Sequence, residues 1–593
     1  MYPYSGPRLI DLLEKKHQSR SQSELFRKGK FEIVWRAKVG SFPHPDLETM
    51  ISAGEPSGAW RTVRVYKKKK DETGQWRTYE IDSRPEDKRK VGENWQALSL
   101  LPLNAYIPGA SIRGIVRAWA SQRPQLEARV IELLGQQNDN EIVPGKIEFL
   151  DAFPEVPTQP CLDIVNPQQS FQVFHEGQGT PLSLYTLGNG HDIISFLVAI
   201  RGIKSKRITP DEVEEVWQWT QQALSEHGLG SRTASGYGKV NPPVNFKPND
   251  SLKKANPETS TKILSFELYS QGSAGPETKS IELRPSHWRG WLRSWLLRFF
   301  LGVMTKEDAK ATVAELLGTL EESDDGNSKK GLVRIELIQE SPWGEESLAS
   351  GFASFYYWKG CFKITAPKTT LHEIIIPILR FAVMVGGMGR GWRRPLHLFR
   401  IPKGRRKGEL SSRGSNLKVT HIVKRNKEWI ERPFGLSPEF EEWKKLYDKW
   451  SSAVHRRWHD RYEIQVNNLN AEVFSPYNCA VFIVPGAAQN PINTKTIDWI
   501  TEETIETRGE GVELIYRSRY KEKVDVGGRA GDGKASCSWV SIKSLARKDG
   551  QKEMVCLFLG GSKIDSANLR SQFLQELASI SGSSHVFGVS PDD

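Results

Sequence analysis

Apolar and polar positions along the chain follow strand and helix periods in an order that occurs twice. Phe31–Ser41 (FEIVWRAKVGS), apolar-rich and closing at a glycine, predicts a strand. Residues 42–105 are polar, dense in Gly, Pro, Lys and Asp, and predict a long insertion. In Ile107–Ala120 (IPGASIRGIVRAWA) Pro108-Gly109 breaks the chain and Ser111 stands as an N-cap. Ile112, Ile115, Val116 and Trp119 then share one helical face, and Arg113 and Arg117, four apart, share another. Lys146–Phe153 and His191–Arg201 predict strands. Thr209-Pro210-Asp211-Glu212 combines an N-cap, a first-turn proline and a capping box. The helix it opens buries Val213, Val216, Trp217, Thr220 and Leu224, and at His227 it runs into GLGSRTASGYGKV, Gly228–Val240. Asn241–Thr261 has no period and reads as linker.

The second half repeats this plan. Ile263–Tyr269 predicts a strand, and Leu283–Phe300 (LRPSHWRGWLRSWLLRFF) a helix. A shift of 176 positions lays Arg113 on Arg289, Gly114 on Gly290, Arg117 on Arg293 and Trp119 on Trp295. The apolar stretch Leu371–Val385 then empties into GGMGRGWRRPLHLFR, Gly386–Arg400, a second glycine-basic loop. Recurrence of strand, Arg-helix, helix and loop in one order implies duplication at domain scale. Beyond it, Pro438–Trp458 predicts a helix, Asn478–Val484 and Glu553–Leu559 strands, and Ser566–Ile580 a last helix. These elements divide the chain into an extension (1–30), a first domain (31–245), a linker (246–262), a second core (263–436) and an α/β extension of that core (437–593).

Composition narrows the function classes. A chain of 593 residues predicts several cores, and its 38% apolar and 26% charged content is globular. No window reaches the roughly 18 uninterrupted apolar residues of a membrane span. The N-terminus has no signal-peptide core, so the expected location is the cytoplasm. Five cysteines lie far apart without a C-x-x-C, which argues against a thiolate zinc site or a disulfide framework. Net charge is +12, a modest excess whose placement matters more than its size. Guanidinium groups beside glycine loops and aromatic rings suit an RNA backbone: glycine admits a close phosphate, Arg forks onto it, and an exposed Tyr237 or Trp392 would stack on a base. A solvated surface is the plain alternative for each basic run taken alone. His455 and His459 have metal-ligand spacing but no intervening Glu, and read as surface residues.

IPGASIRGIVRAW with GLGSRTASGYG resembles the RAMP superfamily of CRISPR-associated proteins. KIEFLDAFP (Lys146–Pro154) and LDIVNPQQSF (Leu162–Phe171) resemble segments of Cas-seven-like backbone subunits of type III effectors. The second half is similar to a more divergent RAMP branch, with Arg284-Pro285-Ser286-His287 in place of the Pro-Gly-x-Ser motif. The resemblance implies an α+β fold of two tandem ferredoxin-like, RRM-like domains. It also implies a backbone subunit that binds guide RNA, holds the guide–target duplex for antiviral defence, and assembles with other effector subunits away from any membrane. Carried over by position, the RNA-binding set is Ser111, Arg113, Arg117, Gly230, Ser231, Arg232, Tyr237 and Lys239, then Arg289, Arg293, Gly389, Arg390, Trp392, Arg393 and Arg394. No cofactor is required for binding.

Two other readings stand beside this one. Catalytic members of the family carry an Asp between the first strand and the Arg-helix, which points here to Asp46 first and Asp82 next, with Mg²⁺ assisting cleavage of target RNA. Asp71 and Asp87 share that loop; the second half has no Asp there, so cleavage would belong to the first domain alone. His44 or His227 would instead serve guide-RNA processing. A protein–protein scaffold, with 437–593 docking neighbours, is the third reading.

Overall fold

The computed structural model describes residues 6–39, short strands within 65–97, and most of 106–591; outside the description lie 1–5, 40–64, 82–94, 98–105, 249–258, 275–280, 319–330, 340–344, 347–354, 402–406, 493–506, 530–535, 562–567 and a few shorter breaks. The chain forms two compact units, one of Met1–Val165, Pro181–Asn256 and Gly275–Lys279, the other of Asn166–Thr180, Pro257–Ala274 and Ser280–Asp593.

In the first unit the elements are α1 (Gly6–Ser19), β1 (Phe26–Ile33), α2 (Gly109–Ala120), α3 (Glu127–Leu134), β2 (Ile147–Phe149) and β3 (Pro160–Val165). The chain then gives α4 (Gln169–Phe174) to the second unit and returns as β4 (Leu182–Leu187), β5 (Ile194–Gly202), α5 (Pro210–His227) and β6 (Val240–Asn241). The antiparallel sheet runs β6-β1-β5-β2. Its β1-α2-β2-β5-α5-β6 path is the ferredoxin-like βαββαβ arrangement. Strand β1 begins five residues ahead of the expected Phe31, and its inward row of Phe31 and Ile33 packs on α5, with Phe31 edge-on to Trp217 at 6.1 Å. The capping box at Thr209 is complete in both directions, at 2.9 and 3.3 Å. The five apolar-face residues expected of α5 are all buried. Helix α1 closes the opposite face of the sheet, where Ile10 packs with Phe26, Leu150 and Ala199. Asp11 and Glu14 of α1 reach Lys28 of β1 at 3.0 and 2.6 Å. Within the insertion, strands Val65–Lys70, Trp76–Ile81 and Trp95–Ala97 form an antiparallel sheet.

The second unit holds β7 (Thr259–Ser270), α6 (Pro285–Phe300), α7 (Lys306–Leu317), β8 (Arg334–Gln339), β9 (Tyr356–Pro367), α8 (Ile376–Val385), β10 (Ser415–Arg425) and β11 (Glu428–Pro433). Sheet order β8-β9-β7-β10 repeats the first unit's arrangement, with β11 added at the edge. Leu264, Phe266 and Leu268 of β7 face α6 and α8, with Phe266 4.7 Å from Trp288. The chain continues through α9 (Phe440–Arg457), β12 (Cys479–Pro485), β13 (Val540–Arg547), β14 (Gly550–Phe558), α10 (Leu569–Ser579) and β15 (Ser584–Gly588). These four strands form a sheet ordered β13-β14-β12-β15. Trp443, Trp450 and Trp458 of the α9 region are buried in the core shared with α6 and α8, so this extension is built into the second unit. Among the described residues no helix is long and apolar enough to cross a membrane.

Candidate nucleic-acid interface

The arginine pairs recur in the structure as they do in the sequence, and both make the same contact. Arg113 donates to the carbonyl of Leu134 and Arg117 to that of Gly135, each at 2.5 Å. In the second unit Arg289 donates to the carbonyl of Leu317, and Arg293 to that of Gly318 at 2.7 Å. These carbonyls end α3 and α7, where a helix leaves its last C=O groups without intrahelical donors. Gly135 and Gly318 take φ of +77° and +79° there. An i,i+4 guanidinium pair on one helix thus caps the next helix, an interaction the helix dipole also favours. Arg289 is pushed down to about 10 by burial and then by Arg293. Replacing Arg289 with Ala should lower unfolding stability by about 1–3 kcal/mol, since a buried carbonyl loses its donor. Denaturant melts of Arg289→Ala against wild type would measure that loss, and an unchanged midpoint would contradict the capping role.

Ser111 is not the N-cap: α2 begins at Gly109 with Pro108 as cap, so Ser111 sits inside the first turn. The carboxylate of Asp151 accepts from the Gly109 N–H at 2.8 Å. A negative group already occupies this helix start, which disfavours a second, phosphate charge beside Ser111.

The glycine loop closes on itself and on the chain after β1. Leu229 and Gly238 pair as N–H to C=O at 2.8 Å, Gly238 donates to Arg36 O at 2.6 Å, and Ser231 to Lys38 O at 2.8 Å. Gly238 has φ +67° and Gly230 +75°, and a Cβ there would lie 1.9 Å from Leu229 O and 2.2 Å from Lys38 O. Glycine is required here for the loop's own closure. The amides of Leu229, Ser231, Ser235, Gly236 and Gly238 all donate within the loop or to the chain after β1.

Tyr237 is 1% exposed, its ring tilted on Trp35 at 4.9 Å and its hydroxyl donating to Asp163 of β3 at 2.7 Å. The expected stacking platform is therefore a core residue. Tyr237→Phe should cost about 1.5–3 kcal/mol by removing a donor from a buried carboxylate; a thermal melt equal to wild type would refute this.

Two cations stay beside the loop. Arg232 is half-buried in the left-handed region at φ +60°, and Lys38 is 9% exposed on the strand extension that the loop covers. Burial pushes the Lys38 amine down, and Arg232 lowers it further. No carboxylate among the described residues lies within ion-pair distance of either side chain. Ser231 and Lys239 are exposed on the same loop. Lys38 is absent from the sequence-derived set, although strand alternation puts it in one row with Arg36.

The second loop is different. Gly389 and Arg390 lie at the surface, half-buried and exposed. Trp392 is 9% exposed, enclosed between Arg298 and Arg393 at 5.1 and 4.5 Å from its ring centre, and is not free to stack on a base. Arg393 pairs with buried Glu472 at 2.6 Å. Arg394 donates to Val540 O at 2.6 Å and Ser538 Oγ at 2.9 Å, and burial pushes it down to about 10. Arg393 and Arg394 thus hold the C-terminal extension, whose partners lie more than 70 residues away and leave no trace in the local motif. Asp46, Asp82, Asp71, Asp87 and His44 lie outside the described residues. His227 ends α5 half-buried, and His455 and His459 are at the surface.

Residues 103–241, from six residues ahead of α2 through β6, match the model of the RAMP superfamily. No curated protein matches the chain. Among solved structures, Cmr1 from Pyrococcus furiosus in its apo form is similar at 13% identity over 55% of this chain and 99% of that one, with a TM-score of 0.30. Cmr6 from the same organism is similar at 18% identity over 37% and 98%, with a TM-score of 0.20. A chain of the type III-B Cmr-beta structure bound to cognate target RNA is similar at 17% identity, with a TM-score of 0.24; the match spans 41% of this chain and 66%, just under two thirds, of that one.

Proposed function

We propose that this protein is an RNA-binding subunit of a type III-like CRISPR effector, assembled with other effector subunits around guide and target RNA. The first unit grips the guide backbone at the Lys38–Arg232 pair beside the glycine loop, and base pairing between guide and target supplies sequence recognition. One observation carries this reading: two cations are held together, one of them nearly buried, with no carboxylate partner among the described residues. Such a pair is costly unless an anion completes it, and a phosphodiester oxygen is that anion. Exposed Lys239, Arg113 and Arg390 extend the positive surface within their own units. The RAMP match over 103–241 supports the same reading.

The test is the RNA content of the particle purified with its partner subunits at physiological salt. Wild type should retain small RNA, and Lys38→Ala with Arg232→Ala should retain several-fold less. Equal retention would overturn the assignment of this pair.

A further inference from the structure

The two ferredoxin-like sheets differ on the face turned away from their helices. In the first unit that face is closed by α1, through Ile10 and Leu13 over Phe26, Leu197 and Ala199, and through Asp11 and Glu14 to Lys28. In the second unit no described element covers it. Ile263, Ile338 and Ile422, on β7, β8 and β10, are 54%, 47% and 57% exposed there. Ile338 and Ile422 flank an open cavity of about 520 Å³ floored by Ser265, Cys361 and Thr420, and Ile263 lies two residues along β7 from Ser265 on the same face. Ser265 pairs across the sheet with both Cys361 and Thr420, and Cys361 with Ile338, so these residues form one row across four strands. At about 4.8 Å per strand the row spans roughly 14 Å, enough to seat one helix about 10 Å wide.

Charge decides against nucleic acid here. Glu336 pairs with Arg334 at 2.6 Å as well as with Lys363 at 3.0 Å, Glu267 meets Lys418 at 3.3 Å, and Glu431 adds a third carboxylate to the cavity lining. The face's two tyrosines, Tyr269 and Tyr357, pack on each other at 4.7 Å. Exposed Lys359, opposite Glu267 in register, has no ion-pair partner among the described residues. It stands to this face as Lys28 stands to the first, where acidic residues of a helix meet it.

We propose that this face docks an amphipathic helix of a partner protein, one with apolar residues three or four apart and an acidic residue set to meet Lys359. The occupant does for the second sheet what α1 does for the first.

A photo-cross-linking residue at position 263, in the complex purified with its partners, tests this. The cross-linked peptide, sequenced by mass spectrometry, should come from another polypeptide and carry that apolar and acidic pattern. Cross-links to RNA, to a second copy of this chain, to its own chain only, or to nothing would each overturn the proposal. As an independent readout, Ile422→Glu should cut the stoichiometry of that partner at least tenfold, with RNA retention within twofold of wild type and an unchanged melting temperature. Unchanged stoichiometry would also overturn it.

Discussion

Glu472→Gln should destabilise the second unit by about 3–5 kcal/mol, the usual cost of leaving a buried cation unpaired. Glu472 is fully buried, and its carboxylate accepts from Arg298 Nε at 2.8 Å, pairs with Arg393 at 2.6 Å and meets His175 Nε2 at 3.1 Å. Its N–H donates to Val173 O at 2.7 Å, and Arg393 donates to Gln172 O at 3.2 Å. Glu472 therefore ties two arginines and residues 172–175 into one buried network. Burial alone pushes its carboxyl up, but Arg393 and Arg298 override burial and bring it down to about 2. The folded state thus binds that proton more weakly than the unfolded chain, whose carboxyl sits near 4.5. A shift of that size corresponds to about 3 kcal/mol, present above pH ~4.5 and lost as pH falls toward 2. His175, stacked on Trp539 at 3.8 Å, is lowered from 6.5 by burial, so acidification below that value also favours the unfolded state. Denaturant melts between pH 7 and pH 3 should show wild-type stability falling steadily, and Glu472→Gln should start lower and fall less between pH 4.5 and 3. Parallel curves would contradict this account of the network.

Reversing both charges, Lys38→Glu with Arg232→Glu, should weaken binding of a guide-length RNA about a hundredfold or more at low salt. Two attractive phosphate contacts become two repulsive ones, and effects of this kind shrink as salt screens them. Arg232 is not an ion-pair partner of any described residue, so its replacement breaks no salt bridge among them. Because burial and Arg232 hold the Lys38 amine below its ordinary value, it loses its proton at a lower pH than a surface lysine. RNA affinity should therefore decline as pH rises toward 10.5, earlier in wild type than in Lys38→Arg. Fluorescence anisotropy across that range measures both effects; affinity within threefold for the double reversal would refute the site.

What the sequence displayed well was anything with a period. The 176-residue shift, the capping box at Thr209 and the buried row of α5 all rest on local spacing, whereas the ferredoxin-like order came from the motifs' resemblance to the RAMP superfamily. Positions whose role is set by distant partners were opaque. Arg113 and Arg289 showed as a duplicated pair, but the carbonyls they cap end the following helices, where Leu134 and Leu317 carry no signature. Arg393 and Arg394 read as basic loop residues because Glu472, Ser538 and Val540 approach only in the folded chain. Tyr237 looked available for stacking until Asp163, 74 residues earlier, proved to take its hydroxyl. The insertion strands escaped notice because VYKKKK and WRTYEI offer little apolar alternation to distinguish them from loop.

The salt dependence of RNA binding tests the central claim most directly. Each phosphate contact to a single strand contributes roughly 0.7 to the slope of log affinity against log salt. Neutralising the pair, as Lys38→Met with Arg232→Met, should flatten the slope by about 1.4, while Arg289→Ala leaves it unchanged in folded protein. A double variant with the wild-type slope would show that these cations do not touch the RNA backbone.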